Sequence, residues 1–188
     1  MVQKMRFVVE NFEKPSDWVL LEYRHAAKIA GKGNLLISGS GNLGKKLPTD
    51  KKHAWQLRSL PDPIILDPSA KEVLEPEDFS AGENSVVIGG ICGDVPPKAR
   101  TAELLTKRFP GARARSLGGL QLSIDNALWT AKRISEGRRL SEIPFVQQIE
   151  LKLGKYETVK INFGYPLVQG KPLVTPGLAA LLKKREEF

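Results

Sequence analysis

The chain has 188 residues, of which 41% are apolar and 27% charged, a composition typical of one globular domain and not of a disordered segment. Its formal net charge of +8 favours an anionic or nucleoprotein partner. A single cysteine excludes an internal disulfide, and two histidines far apart in sequence predict no metal site. No apolar run is long enough for a membrane span and no signal peptide is recognisable, so we expect a cytoplasmic protein without membrane contact.

The N-terminal third of the chain predicts a strand, a helix, a second strand and a long loop. Residues 6–10 (RFVVE) have the apolar, β-branched composition of a strand. A helix is predicted between Ser16 as N-cap and Gly31, because apolar side chains recur there at helical spacing, at Val19, Tyr23, Ala26 and Ala30. Residues 34–38 predict the second strand, and the glycines and prolines of 39–63 predict a loop-rich segment.

The rest of the chain alternates short apolar strands with amphipathic helices. In chain order we predict strands 64–66 and 86–88, helix 98–109, strand 112–117, helix 121–136, strands near 145–152 and 157–162, and helix 176–185 capped by Thr175. This alternation predicts an α/β fold with a mostly parallel sheet and helices on both faces. We expect residues 1–188 to form one domain, with a C-terminal extension from about residue 140. Ligands of such sheets bind at the carboxyl ends of strands, here after Leu66, Ile88 and Leu117.

An acidic segment interrupts the basic background. Residues 64–84 carry six acidic side chains and one basic side chain. A solvated loop is the ordinary interpretation of such a segment, and a wall for a cationic substrate is the functional one.

The run GSGNLG (39–44) follows a predicted strand and has the spacing of a phosphate-binding glycine loop. Such loops need a helix directly after the glycines, because the helix N-terminus holds the phosphate. The residues that follow contain Pro48 and no apolar stripe, so the sequence favours a flexible loop over a nucleotide site.

A second glycine cluster lies in VVIGGICGDVPP (86–97), where a buried strand runs into glycines, one aspartate and two prolines before a helix. Main-chain groups exposed on such a stiff loop suit an adenine or an amino-acid group, and an ordinary tight turn is the alternative. A third loop, LGGLQLS (117–123), repeats this arrangement before the next predicted helix.

Three runs of the chain resemble one known family. FVVENFEKPSDWVLLEY (7–23), VIGGICGDVPPKART (87–101) and LGGLQLSIDNA (117–127) are similar to SPOUT-class methyltransferases related to the eukaryotic SPOUT protein arginine methyltransferase. The similarity continues in the same order through GKPLVTPGLAALLKK (170–184), and the pattern GDxPPxxRT is its most specific part. Residues 39–63 depart from the family pattern, which further weakens the case for a phosphate-binding loop at residues 39–44.

The resemblance implies a fold, a cofactor and the residues that bind it. It implies an α/β fold whose C-terminal part forms a deep trefoil knot, and S-adenosylmethionine (SAM) as methyl donor, bound bent in the knot loops. By the same resemblance SAM lies against the three predicted strand ends, at Leu66, Asp67, Pro68, Gly89, Gly90, Ile91, Gly93, Asp94, Leu117, Gly118, Gln121, Leu122 and Ser123.

The family's known activity is methylation of an arginine in a small-subunit ribosomal protein, so the resemblance implies a protein arginine methyltransferase with that partner. Other SPOUT members methylate RNA, and with the positive charge this leaves an RNA methyltransferase as the alternative. A module that binds cofactor or RNA without turnover is a third hypothesis. The resemblance favours a monomer over a dimer.

Methyl transfer to arginine needs a group that orients the guanidinium and helps to remove its proton, because the guanidinium pKa is above about 12. Asp94 is the first candidate catalytic residue because it leaves the glycine loop beside the expected methyl group; a loop-capping aspartate is the alternative. Glu10, at the end of the first strand, is a candidate for binding the guanidinium, and a solvated strand end is the alternative. Arg100 is a candidate for ordering Asp94 or binding the donor carboxylate, and a surface arginine is the alternative.

Three further residues have ordinary interpretations. Glu22 has a mid-helix position, where glutamate is usually solvated. Asp125, in the first turn of its helix, suits the helix dipole. Trp18 is expected in the core.

Overall fold

The computed structural model describes residues 4–44, 47–79, 82–91 and 100–186. Its helices are α1 (Asp17–Ala30), α2 (Arg100–Leu104), α3 (Ile124–Ser135) and α4 (Leu178–Glu186). Its strands are β1 (Lys4–Asn11), β2 (Leu35–Ser38), β3 (Pro63–Leu66), β4 (Glu83–Gly90), β5 (Arg113–Arg115), β6 (Phe145–Val146), β7 (Ile149–Lys152), β8 (Thr158–Ile161), β9 (Tyr165–Val168) and β10 (Lys171–Pro172). None of the helices described is long and apolar enough to cross a membrane.

Strands β1 to β5 form one sheet in the order β2-β1-β4-β3-β5, and every neighbouring pair is parallel. This confirms the predicted mostly parallel sheet. The register places Ile88 of β4 opposite both Val9 of β1 and Leu66 of β3. Because parallel strands have their carboxyl ends at the same edge, the ends of β3, β4 and β5 lie side by side.

Helix α1 has the start, buried face and end that its sequence specifies. The Ser16 Oγ accepts the amide of Val19 at 3.3 Å, and Gly31 ends the helix with a φ of 88°. The four apolar residues predicted to face inward are all buried, and Glu22 is buried on the same face. The helical spacing is therefore confirmed, and the expectation of a solvated Glu22 is wrong.

The two faces of the sheet are covered differently. Helices α1 and α3 pack on one face and form the larger apolar cluster with alternate side chains of β1, β3 and β4. On the other face, Val8 and Ile65 pack against Leu105 and against residues 54–60 of the segment 47–60. This segment is irregular apart from one turn of 3₁₀-helix at Ala54–Gln56, as its glycines and prolines predicted.

The predicted helix 98–109 is shorter in the structure. Helix α2 ends at Leu104, and a separate 3₁₀ turn covers Thr106–Arg108. Of the three residues predicted to face inward, Leu105 is fully buried, whereas Ala102 and Phe109 are half-buried. Leu105, between the helix and the 3₁₀ turn, is a buried member of the apolar cluster beneath the sheet.

The C-terminal segment, residues 140–186, adds strands that the sequence predicted only in part. The predicted strands near 145–152 and 157–162 are present as β6, β7 and β8, whereas β9 and β10 were not predicted. Strands β6, β9 and β10 form an antiparallel sheet, and β7 pairs with β8. Tyr165 and Leu178 are the most buried residues of a small separate core in this segment, and Trp18 of α1 packs against this core.

The acidic segment 64–84 is paired internally. Arg115 binds Asp78 and Glu72, and Arg139 binds Glu75 and Glu77. Burial raises the pKa of Asp78, but the hydrogen bonds and charge of Arg115 outweigh it and lower the pKa below its ordinary value. These four carboxylates form an intramolecular network, whereas Asp67 of the same segment lies at the carboxyl edge of the sheet. The wall for a cationic substrate stays a prediction.

Candidate active site

A cavity of about 520 Å³ opens at the carboxyl edge of the sheet, where the three turns meet. The turn after β3 contributes residues 66–69, the end of β4 contributes Ile88, Gly89 and Ile91, and the turn before α3 contributes residues 117–124. Trp18 and Glu22 of α1 form another wall. The cavity also contacts Arg100, Thr101 and Phe163.

Most residues predicted to bind the cofactor line this cavity. They are Leu66, Asp67, Pro68, Gly89, Ile91, Leu117, Gly118, Gln121, Leu122 and Ser123. Gly90 is not among the lining residues, and Gly93 and Asp94 lie outside the described part of the chain. Of the candidate catalytic residues, Arg100 lines the cavity and Glu10 does not.

The side chain of Asp67 shapes the first turn. Its carboxylate accepts the amide of Ser69 at 2.9 Å, the Ser69 hydroxyl at 2.6 Å and the Thr106 hydroxyl at 2.6 Å. An aspartate that accepts the amide two residues ahead fixes a tight turn. Asp67 therefore holds the turn after β3 in shape and ties it to the segment that follows α2.

The turn before α3, residues 117–124, is the third turn of the cavity, and the C-terminal segment holds it in place. The amide of Gly164 donates to the Gln121 carbonyl at 2.7 Å, and Leu122 forms a parallel bridge with Gly164. A Cβ at Gly164 would lie 2.8 Å from a methyl carbon of Leu122, so glycine is needed for this approach. The turn therefore depends on contacts from residues more than 40 positions away.

Glu10 lies beneath the other face of the sheet, where it is completely buried. Its carboxylate accepts the Ser38 hydroxyl at 2.6 Å and the amide of Ala54 at 2.7 Å, and the Nδ1 atom of His53 lies 2.5 Å from it. These bonds tie segment 47–60 to β1 and β2. The structure thus places Glu10 in a structural cluster outside the cavity.

Gly90 is explained by packing against α1. A Cβ on Gly90 would lie 2.5 Å from the Tyr23 hydroxyl and 2.8 Å from the Glu10 carbonyl, and the Tyr23 hydroxyl is itself fixed by a 2.8 Å bond to Asn11. A Cβ on Gly89 would instead meet only flexible side chains, with the Ile91 side chain nearest at 3.2 Å.

We expect Gly90→Ala to lower the free energy of unfolding by about 2 kcal/mol, because the methyl group overlaps a backbone carbonyl and a fixed hydroxyl. Gly89→Ala is the matched control and is expected to cost under about 1 kcal/mol, since the side chain of Ile91 can move. Urea denaturation of both variants measures the difference. Equal losses would contradict the packing explanation of Gly90.

Glu22 is a buried carboxylate on the cavity wall. The Nε1 atom of Trp18 donates to Glu22 Oε1 at 2.6 Å, and the amide of Ile124 donates to Oε2 at 3.1 Å. Burial, and after it the charge of Asp125, raises the pKa of Glu22 to about 8 from its ordinary value of 4.5. With a pKa of about 8, Glu22 is mostly the neutral acid at pH 7.

A sequence signal for Glu22 existed. It lies three residues after Val19 and four before Ala26, so it falls on the apolar stripe that the spacing had already defined. A glutamate within such a stripe is buried with the stripe. Carboxyl groups with strongly shifted pKa values in a cavity are typical of functional sites.

This fold and this cavity define an α/β protein that binds a small molecule at the carboxyl edge of a parallel sheet. A family model described as protein arginine N-methyltransferase SFM1-like matches residues 6–187. Protein arginine N-methyltransferase SFM1 of Saccharomyces cerevisiae is 32% identical to this chain over an alignment 203 residues long. The alignment covers 96% of this chain and 95% of the yeast protein. The chain belongs to the SFM1-like family of protein arginine N-methyltransferases.

Solved structures agree with this assignment. The crystal structure of the yeast arginine methyltransferase SFM1 complexed with SAM is 29% identical with a TM-score of 0.83, and the match covers 97% of this chain and 92% of that one. Dual specific Trm10 from Thermococcus kodakaraensis shares the fold, with 19% identity, a TM-score of 0.59, and coverage of 73% of this chain and 95% of that one. These findings confirm the predicted family and the predicted class of enzyme, a methyltransferase. The SAM named for the yeast structure agrees with the predicted cofactor.

Proposed function

We propose that this protein transfers a methyl group from SAM to an arginine side chain of a small-subunit ribosomal protein. The family supports the reaction type. The observation that carries the proposal is the cavity itself, which joins the three turns to a buried carboxylate, Glu22. The positive net charge agrees with a nucleoprotein target.

The residues of the cavity fit SAM. A volume of about 520 Å³ lies within the range of roughly 300–1,000 Å³ found for small-molecule sites. Leu66, Ile88 and Leu122 offer apolar surface for an adenine, and the glycines of the lining let a bound molecule contact the main chain directly. Arg100 supplies a positive charge for a carboxylate, in keeping with one of its predicted roles. When bound, SAM supplies an electrophilic methyl group.

In this proposal, Glu22 binds the guanidinium of the arginine that receives the methyl group. The guanidinium is a cation, and its charge favours ionisation of a carboxyl group nearby. The ionised carboxylate would then orient the guanidinium and accept the proton that the attacking nitrogen loses. The nitrogen–carbon bond would form as the methyl–sulfur bond of the donor breaks, and S-adenosylhomocysteine would leave. Trp18 and the amide of Ile124 hold one carboxylate oxygen each, so the base is fixed before the substrate enters.

Asp94 and Arg100 keep their predicted roles as part of the proposal. Asp94 follows β4 within residues 92–99, outside the described part of the chain, and stays a proposed catalytic residue. Arg100 stands at the start of α2, on the cavity and six residues beyond Asp94. The SPOUT resemblance is also our ground for proposing a knotted C-terminal part and a monomeric protein. The cytoplasmic location expected from the sequence stays a separate prediction.

Incubation with methyl-labelled SAM and a ribosomal extract tests the function. We expect label in a small-subunit protein, resistant to RNase, removed by protease and recovered as methylarginine after acid hydrolysis. Label that RNase removes and protease spares would establish the RNA alternative. If calorimetry shows SAM binding while no component of the extract is labelled, the protein is a binding module.

A further inference from the structure

Asp125 is completely buried beside the active site, and its carboxylate accepts four hydrogen bonds. The Ser123 hydroxyl donates to Oδ1 at 2.6 Å and the amide of Asn126 at 3.0 Å. The Nδ1 atom of His25 donates to Oδ2 at 2.7 Å and the Thr175 hydroxyl at 2.6 Å. Such a set of hydrogen bonds holds the carboxylate in one orientation, which a helix-dipole role alone would not require.

The four donors come from three separate parts of the chain. Ser123 ends the third turn of the cavity, His25 lies one helical turn after Glu22 on α1, and Thr175 precedes α4 in the C-terminal segment. Thr175 was predicted to cap the last helix. In the structure α4 begins at Leu178, and the hydroxyl of Thr175, which is 2% exposed, points to Asp125 instead.

Glu22 is joined to the same group of residues through the residue before Asp125. The amide of Ile124 that binds Glu22 Oε2 belongs to the first turn of α3, directly between Ser123 and Asp125. A shift of this turn would therefore move both a wall of the cavity and a hydrogen-bond donor of Glu22. The residues 117–124 that line the cavity end at this point.

We propose that Asp125 is a positioning residue of the methyl-transfer site, and that its bond to Thr175 lets the C-terminal segment hold the third turn and the start of α3 in place against Glu22. The expected effect of Asp125 on kcat/KM rests on the proposed function, arginine methylation. Asp125 does not line the cavity, so it acts through Ser123 and Ile124 and not on the substrate.

The charge of Asp125 has a second consequence for Glu22. Asp125 raises the pKa of Glu22, after burial. Burial also raises the pKa of Tyr165 on β9, and after it the charges of Asp125 and Glu22 raise it further. His25 faces Asp125 from α1, and among the described residues of the cavity lining the other charged side chains are those of Asp67 and Arg100. Removing the charge of Asp125 should therefore make Glu22 easier to ionise.

The test compares Thr175→Val, which removes the hydroxyl and keeps the branched shape, with Thr175→Ser, which keeps the hydroxyl. Thr158→Val, at an exposed site on β8, is the matched control. We expect Thr175→Val to weaken the affinity for S-adenosylhomocysteine about tenfold, as loss of one buried bond to a charged group predicts, and to speed amide exchange at residues 120–124. Thr175→Ser and Thr158→Val should match the wild type. A lower melting temperature for Thr175→Val with unchanged affinity and exchange would reduce Thr175 to a structural role and overturn the proposal.

Asp125→Asn supplies a second readout, the pH profile of kcat/KM. We expect the acid limb of the profile to move to lower pH, because Glu22 then ionises more readily, and an unmoved limb in a folded variant would also count against the proposal. If the wild type binds S-adenosylhomocysteine but methylates no arginine, the proposed function fails, and the binding and exchange measurements still decide whether Asp125 positions the turn. If the wild type does not bind S-adenosylhomocysteine, amide exchange alone decides whether Asp125 positions the turn. Equal exchange at residues 120–124 in Thr175→Val and Thr175→Ser then overturns the proposal.

Discussion

Glu22→Gln is expected to lower kcat for arginine methylation at least about a hundredfold while the affinity for SAM changes less than about threefold. The substitution keeps the length of the side chain but removes the group that can ionise and take the proton of the guanidinium. It also removes one of two acceptor oxygens, so either Trp18 or the amide of Ile124 loses its partner. Steady-state kinetics with a peptide or ribosomal substrate measure kcat, and calorimetry measures SAM binding.

Glu13→Gln is the matched control, since Glu13 is an exposed glutamate just before α1. Its kcat should equal that of the wild type. A normal kcat for Glu22→Gln would remove Glu22 from the chemistry and return the role of base to Asp94. A joint loss of kcat and of SAM affinity would instead place Glu22 at the donor end of the cavity.

The free energy of unfolding of the ligand-free protein is expected to fall as pH rises from about 5 to about 8. The carboxyl group of Glu22 has a pKa near 4.5 in the unfolded chain and about 8 in the fold. Between these values the folded protein binds the extra proton, so each pH unit removes up to about 1.4 kcal/mol of stability. The contribution is complete below the unfolded pKa and is lost as pH passes the folded one.

Urea denaturation at pH 5, 6, 7 and 8 measures this slope, and Glu22→Gln should flatten it. The lowered pKa of Asp78 acts in the opposite direction, but its contribution is lost only as the solution becomes more acidic than the ordinary value of 3.8. Tyr165 ionises at more alkaline pH than the window. A stability that stays level or rises between pH 5 and 8 in the wild type would show that Glu22 is ionised in the empty site.

Local patterns were enough for the parts of the fold that local physics decides. The stripe of α1 runs from its Ser16 cap to Gly31, and the strands of the sheet are short apolar runs; both patterns depend on neighbours a few residues away. The alternation of such strands with helices then indicated a parallel sheet. The three strand ends followed, since parallel strands share a carboxyl edge, and the cavity lies at those three turns. The C-terminal strands β9 and β10 were missed because they are short, and β9 pairs over only two residues with each of its neighbours, β6 and β10.

The sequence by itself determined the sheet, its helices and the turns at its carboxyl edge, along with the resemblance that named a methyltransferase. Only the tertiary structure decided how the polar residues are used. Glu10 and Thr175 look like a strand end and a helix cap, yet one ties segment 47–60 to the sheet and the other binds Asp125 across 50 residues. A buried carboxyl group takes its role from the donors and charges around it. Around Glu22, the amide of Ile124 and the charge of Asp125 both come from α3, about 100 positions along the chain.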